Sequence, residues 1–175
     1  MARLASSAVP VAIALHGVSA GYASPVLHDI DLEVGNEVVA IVGRSGSGKT
    51  TLLRLIAGLV EPTSGTVDLL GVAPAVARRR KRIGFVAQDA RLHPWRTVRE
   101  NVTLPLEGGR ARSVVYVTHD IEEAVLLADR VIVIGGRPAG VLGEVRISLA
   151  RPRTRAMRRE PGFHDLVEEV REHLE

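Results

Sequence analysis

The sequence predicts an α/β fold with a mainly parallel core sheet and an N-terminal antiparallel β part. Apolar segments with strand character alternate with segments of helical periodicity, which is typical of parallel sheets. The continuously apolar segment "VVAIV" (38–42) runs directly into a glycine-rich loop and then a helical stretch. Upstream of it, apolar and acidic residues alternate, as they do in a sheet with one solvated face. We expect one domain, residues 1–175.

The composition indicates a globular domain and excludes several kinds of site. Hydrophobic residues make up 46% and charged residues 25% of the chain, so it can bury a core and is not a disordered sequence. It contains no cysteine, which excludes disulfides, thiolate metal sites and cysteine nucleophiles. The net charge is only +3 and aromatic residues are 3%, so no nucleic-acid partner is expected.

The first half of the chain is predicted to hold mostly strands around one helix. The segment "LASSAVPVAIAL" (4–15) is too short to span a bilayer, and we interpret it as a strand rather than a signal peptide. The alternating "DIDLEV" (29–34) is a half-exposed strand, and 38–42 is a strand covered on both faces. A helix over 51–59, closing near Gly58, and a short strand over 67–70 follow.

The second half is predicted to continue the alternation of strands and helices. "IGFVAQ" (83–88) is a buried strand and 97–102 a short helix that Thr97 caps. "VVYVTHD" (114–120) is a strand and cap before a helix over 121–130, acidic at its start and basic at its end. The segments "VIVI" (131–134) and "VLGEVRISL" (141–149) bracket a hairpin-like turn.

The end of the chain is predicted to be an amphipathic helix that Pro161 opens. Its apolar stripe is Phe163, Leu166, Val167, Val170 and Leu174. The arginine-rich runs 78–82 and 151–159 are interpreted as solvated connections.

The glycine-rich loop satisfies the whole phosphate-binding loop (P-loop) pattern, G-x-x-x-x-G-K-[ST]. Its glycines let successive backbone N–H groups point at phosphate oxygens, and the helix that starts there adds its positive end. Lys49 is expected to reach the β- and γ-phosphates, and the Thr50 hydroxyl to ligate Mg²⁺. The predicted ATP-binding residues of the loop are Gly43, Arg44, Ser45, Gly46, Ser47, Gly48, Lys49, Thr50 and Thr51.

With this loop placed, the remaining motifs resemble the ATP-binding subunits of ABC transporters, and within them the nitrate/sulfonate/taurine importer group. Tyr22 follows Gly21 where that family keeps the aromatic that stacks on adenine. "VAQD" resembles the Q-loop, which implies that Gln88 contacts Mg²⁺ and the attacking water. "VTHD" before "EEAVLLADRV" resembles the switch segment, which implies that His119 senses the γ-phosphate. "LHPWRTVRENVTLPLE" (92–107), the "RPR" at 151–153 and the final helix are also similar to that group.

Taken singly, three of these residues have simpler interpretations. Tyr22 could be an ordinary loop aromatic, Gln88 a polar strand end, and the "THD" around His119 a helix cap only. Their order along the chain favours the family resemblance.

Two parts of the family pattern are absent from the sequence. Hydrolysis of this type needs an Asp on a strand beside the loop to hold Mg²⁺, and the family follows it with a Glu that polarises water. No apolar segment here ends in Asp-Glu, and the signature motif that caps ATP from a partner subunit is missing. Its distant echo "LEGGR" (106–110) carries Glu107 where serine is expected, and a carboxylate there would repel phosphate. The resemblance therefore covers 11 to about 107 and 114–175, with an internal deletion near 107–113. The helical subdomain and the strand with the acidic pair, which the family places between these two blocks, are expected to be missing.

The resemblance implies ATP and Mg²⁺ as cofactors, a membrane permease subunit as partner, and a second ATP-binding subunit in relatives. It also implies a cytoplasmic location on the inner face of the cell membrane. The function that we predict is ATP binding in an importer, with hydrolysis defective in this shortened form. A non-catalytic nucleotide-binding or regulatory remnant is the alternative, and a compact P-loop kinase is a weaker one, since "VTHD" has no reason to occur there.

Overall fold

The computed structural model describes residues 11–21, 23–83 and 113–175. Within them the chain forms seven strands, four α-helices and one short 3₁₀-helix at Arg155–Arg159. The strands are β1 (Ile13–Gly21), β2 (Pro25–Val34), β3 (Val38–Val42), β4 (Ser64–Leu69), β5 (Val114–Val117), β6 (Arg130–Gly136) and β7 (Ala139–Arg146). The helices are α1 (Lys49–Ile56), α2 (Pro74–Arg79), α3 (Ile121–Leu127) and α4 (Pro161–Glu172).

The described strands form one sheet in the order β4-β1-β2-β7-β6-β3-β5. β3 is parallel to both of its neighbours, β5 and β6, whereas β1 is antiparallel to β2 and β4. β6 and β7 form an antiparallel hairpin, and β2 joins β7 in parallel. The predicted parallel core with an N-terminal antiparallel part is therefore confirmed.

The side chains of β3 alternate between two apolar cores, one on each face of the sheet. Val39 and Ile41 pack with α1 and with the antiparallel strands. Ala40 and Val42 face the other way, where α3 and α4 cover them. The four residues 39–42 are buried, which confirms the prediction of a strand covered on both faces.

Two further patterns in the sequence are confirmed. In β2, Ile30, Leu32 and Val34 are buried while the acidic residues between them are exposed. In α4, Pro161 occupies the first turn, and the residues Phe163, Leu166, Val167 and Val170 are buried. Leu174 lies beyond the end of the helix and is half-buried.

The end of α3 differs from the prediction. The helix ends at Leu127 rather than Arg130, because Ala128 is extended and Arg130 already begins β6. Arg130 is a buried residue that pairs with Glu37 at 3.1 Å and Glu144 at 3.2 Å, so it is not a basic residue of the last helical turn. The helix after the P-loop likewise starts and ends earlier than predicted, and β4 begins at Ser64.

The interpretation of the second arginine-rich run as a solvated connection was wrong at Arg153, whereas Arg151 is exposed. The side chain of Arg153 is 4% exposed and donates to backbone carbonyls. Arg151 pairs with Asp129 at 2.7 Å. The residues 78–82 of the first run are exposed, as predicted. The first two of them belong to the helix α2, which the sequence analysis did not predict.

Several predicted features lie outside the described residues. They are Tyr22, Gln88, residues 4–10 of the strand over 4–15, residues 84–88 of the strand over 83–88, the helix over 97–102 and most of the junction at 107–113. In the described part of the chain, no helix is long and apolar enough to cross a membrane.

Candidate nucleotide-binding site

The glycine-rich loop leaves the carboxyl end of β3 and enters α1. Gly43 is buried because it passes close to β6: a Cβ there would collide with the Ile134 carbonyl oxygen and lie 2.7 Å from Ser47 Oγ. Gly48, the residue that caps α1, has φ near +80°, and a Cβ there would lie 2.8 Å from Leu27 Cδ2. Close approach and a left-handed backbone thus account for the two glycines that define the motif.

Lys49 folds back over the loop that precedes it. Its Nζ donates to the carbonyl oxygens of Gly43 and Arg44, at 2.7 Å each, and lies 3.4 Å from Ser47 Oγ. Partial burial lowers the pKa of Lys49 from its ordinary value. The ammonium group is therefore held at the centre of the loop, where a phosphate chain that follows the loop would meet it.

The first turn of α1 is suited to an anion. Gly48 supplies no side chain to cap it, and no acidic residue lies in that turn. The backbone N–H groups of the turn and the positive end of the helix dipole are therefore available to a phosphate. Thr50 is exposed in this turn and Thr51 is half-buried.

The outer lip of the loop is exposed and touches the end of the chain. Arg44, Ser45 and Gly46 are exposed, whereas Ser47 is buried. The Arg44 guanidinium donates to the Leu174 carbonyl at 3.2 Å. Gly46 has φ near +79° with open space around it, so its backbone conformation alone favours glycine there.

His119 lies at the same edge of the sheet as the loop. Val117 of β5 is the register partner of Ile41 in the parallel β3–β5 pair. Gly43 and His119 each stand two residues beyond that pair, so both leave the sheet at its carboxyl edge. His119 is exposed. The structure thus places one of the three residues that the sequence predicts outside the P-loop at the same edge of the sheet as the loop.

The residues on both sides of His119 are fixed by hydrogen bonds. Asp120 caps α3, because its carboxylate accepts from the Glu123 N–H at 3.1 Å. Thr118 Oγ1 donates to Glu123 Oε2 at 2.6 Å and accepts from the Asp120 N–H at 3.1 Å. The predicted capping role of the "THD" segment is confirmed, and it leaves the His119 side chain uncommitted to that cap.

The donor set for a metal ion is incomplete in the described residues. Across residues 11–21, 23–83 and 113–175, no group of three or more His, Asp or Glu side chains could hold a metal ion. Thr50 presents its hydroxyl in the first turn of α1, and Gln88 lies outside these ranges. The loop therefore fits a phosphate chain, and a Mg²⁺ ion there would take most of its ligands from that chain and from water.

Solved structures with a similar fold include ATP-binding cassettes. The fold matches a dimeric ATP-binding cassette in a post-hydrolysis state, bound to ADP and phosphate (TM-score 0.64, 21% identity, 79% of this chain and 100% of that chain). It also matches the ATP-binding subunit of an ABC transporter (TM-score 0.64, 16% identity, 91% of this chain and 99% of that chain). These likenesses show the fold, a P-loop α/β cassette.

Three similar curated proteins are all described as aliphatic sulfonates import ATP-binding proteins. The aliphatic sulfonates import ATP-binding protein SsuB 1 of Xanthomonas axonopodis pv. citri is 32% identical over 74% of this chain and 83% of its own length. SsuB of Pseudomonas putida is 47% identical over 72% of this chain, and SsuB of Escherichia coli is 42% identical over 78%. The chain spans about half the length of these last two relatives, 44% and 52%.

The family model described as ABC transporter matches residues 27–170, which include the P-loop, the His119 segment and most of α4. A match over most of the chain, together with the loop geometry, shows that this protein belongs to the ABC transporter family of ATP-binding domains.

Proposed function

We propose that this chain is the ATP-binding subunit of an importer of the nitrate/sulfonate/taurine kind, and that it binds ATP at the P-loop. The observation that carries this proposal is the position of Lys49, held over the loop by two carbonyls, at a first turn of α1 that no described side chain caps. A sulfonate-like organic anion is the transported solute that the names of the relatives favour.

Each predicted residue has a defined task in this proposal. Backbone N–H groups of residues 43–51 surround the phosphates, Lys49 neutralises the β- and γ-phosphates, and Thr50 ligates Mg²⁺. His119 senses the γ-phosphate from the neighbouring strand. Tyr22 stacks on adenine and Gln88 contacts the metal, both as the family resemblance implies.

The partners and the location follow from membership in an import system. The relatives are named as import ATP-binding proteins, which supports a membrane permease subunit as partner. The chain would then bind peripherally to the inner face of the cell membrane, with no nucleic-acid partner and with a second ATP-binding subunit in relatives only.

We further propose that this chain lacks an internal segment of the family domain near residues 107–113, and hydrolyses ATP poorly for that reason. One relative aligns over 211 residues, more than the 175 residues of this chain, although only 74% of this chain takes part. This difference supports a long stretch of the relative that has no counterpart here. The sequence also lacks an apolar strand that ends in Asp-Glu, so the water-polarising carboxylate is missing.

The missing acidic pair also favours a second candidate, a non-catalytic nucleotide-binding or regulatory protein. The two candidates share the nucleotide site and differ in the partner. Co-expression with the permease of a sulfonate importer, followed by affinity purification, separates them. Co-purification supports the subunit, and ATP binding without any association supports the regulatory protein.

Calorimetric titration with Mg-ATP, followed by measurement of phosphate release, tests the shared site. We expect saturable binding with phosphate release near background, because loss of a general base alone costs about 10²–10⁴ in rate. Absence of ATP binding would overturn the proposed function. Turnover that depends on Lys49 would overturn the hydrolysis defect only, and would make Asp120 and Glu122 the first carboxylates to test.

A further inference from the structure

The C-terminal end of α3 is held by two arginines from a distant part of the chain. Arg153 Nη1 donates to the carbonyls of Val125 (3.4 Å) and Ala128, and Arg151 Nη2 donates to the carbonyl of Leu127 (3.1 Å). Carbonyls at a helix end lack intrahelical partners, and cations there interact favourably with the helix dipole. The last turn of α3 contains no basic residue of its own, so these arginines supply that charge.

Arg153 is built into the structure more firmly than its neighbour. Its side chain is 4% exposed, compared with 53% for Arg151. Nε donates to the Leu149 carbonyl at 3.0 Å, and Nη2 donates to the Ile147 carbonyl at 3.3 Å and lies 3.8 Å from Asp129 Oδ1. The planar guanidinium therefore joins the end of α3 to the segment that follows β7.

The opposite end of α3 begins directly after His119. Asp120 caps the helix, and Glu123 in its first turn bonds to Thr118. Tyr116 of β5 lies close enough for its hydroxyl to reach the Glu123 carbonyl at 3.5 Å. A second contact with the C-terminal segment, Arg158 to Glu122 at 3.2 Å, also falls in this first turn.

A helix of seven residues cannot hold its own position. Its place is set by these contacts and by the packing of Ala124 and Val125 against α4. A shift at its C-terminal end would therefore be passed to Asp120 and to the residue before it, His119.

We propose that Arg153 is a positioning residue for His119, acting through α3, and that the preference of the site for ATP over ADP depends on it. This inference rests on the proposed role of His119 as sensor of the γ-phosphate. ADP lacks that phosphate, so its binding reports on the rest of the nucleotide site without the His119 contact. The ratio of the two affinities isolates the His119 contact from the general integrity of the fold.

The experiment measures the affinities of Mg-ATP and Mg-ADP for the purified chain and its variants. His119→Ala lowers the ATP/ADP affinity ratio by about tenfold or more, the size of one hydrogen bond to a charged group. Arg153→Met lowers this ratio by roughly threefold or more, while its ADP affinity stays that of the parent. The ratio of Arg153→Lys lies between those of Arg153→Met and the parent. Arg146→Met, at an arginine that is 83% exposed, leaves both affinities unchanged.

The double variant His119→Ala/Arg153→Met shows the same ratio as His119→Ala alone, because both changes act on one contact. If Arg153→Met does not fold, as judged by circular dichroism, Arg151→Met and Arg153→Lys carry the test, since Arg151 is half exposed and binds the same helix end.

Three results would overturn the inference. An unchanged ratio in the arginine variants beside a lowered ratio in His119→Ala would reject the positioning role and keep the sensor. An equal loss of ATP and ADP affinity would mean that Arg153 only supports the fold. An unchanged ratio in His119→Ala would reject the sensor role, and the inference with it.

Discussion

At the scale of single residues, Lys49 carries the sharpest prediction. Lys49→Ala removes a charged contact to phosphate, so we expect ATP affinity to fall by about 1.5–3 kcal/mol. Titration of a fluorescent ATP analogue measures this. Lys81→Ala is the matched control, because Lys81 is the only other lysine and lies exposed beyond α2. Equal affinities of Lys49→Ala and the parent chain would show that the loop is not the site.

A second residue-scale prediction concerns the pH dependence of stability. Burial alone would raise the pKa of Asp129, but the Val38 N–H and the charges of Arg151 and Arg153 outweigh it and hold that pKa below its ordinary value. A carboxyl with a lowered folded-state pKa stabilises the fold above its unfolded pKa and loses this effect as pH falls through the folded one.

The variant Asp129→Asn should therefore be less stable than the parent at pH 7. The difference in unfolding free energy between the two should become smaller below about pH 4. Urea unfolding at a series of pH values measures it. A difference in unfolding free energy that stays constant down to pH 2 would contradict a stabilising effect of the ionised Asp129 carboxylate.

At the scale of elements, the cap of α3 is open to a direct test. Asp120→Ala removes the bond from the Glu123 N–H, and we expect a loss of about 1 kcal/mol in unfolding free energy. Glu169→Ala on the exposed face of α4 is the control and should change stability by less than about 0.5 kcal/mol. Equal losses in the two variants would mean that the cap does not stabilise the helix.

The edge of the sheet at β5 carries a second element-scale prediction. In the described residues β5 has β3 as its one neighbour, and Val114 is exposed. The family places another strand between β5 and the strand that leads to Gln88. If this chain lacks that strand, as we propose, we expect residues 83–87 to pair directly with β5, since an unpaired buried edge is costly. Of these residues, 84–87 lie outside the part of the chain that the structure describes.

Because the chain has no cysteine, paired cysteines at Val86 and Val115 can test this pairing with a short thiol cross-linker. An intramolecular cross-link supports direct pairing. The pair Val86 and Ile132 is the control, and it should not cross-link. If the pair Val86 and Val115 gives no more cross-link than this control, direct pairing with β5 is rejected.

At the scale of the whole molecule, we expect that ATP does not dimerise this chain. In the family each subunit caps the nucleotide of the other through the signature motif, and the sequence here lacks that motif. Light scattering with saturating Mg-ATP, run beside Lys49→Ala, should give the monomer mass in both cases. A dimer that forms with ATP and is lost in Lys49→Ala would contradict this expectation and restore a partner-capped site.

Much of the fold was predictable because the signals were local. The alternation in 29–34, the apolar run 38–42 and the stripe of α4 each follow from how one element is buried, and all three are confirmed. The P-loop was also predictable, because the spacing of its glycines is characteristic of the motif. The structure shows the physical reason for them, which is a left-handed backbone or a close contact at each position.

What only the tertiary structure decided are the contacts between residues far apart in the chain. The sequence predicted that Arg130 ends a helix and that the run 151–159 is solvated, because arginine is judged locally by its charge. In the fold, Arg130 is buried among carboxylates, and Arg151 and Arg153 take the place at the end of α3 from more than twenty residues away. The C-terminal end of a helix interacts favourably with a cation from any part of the chain. Which arginine lies there depends on how the segment between β7 and α4 packs in the folded protein.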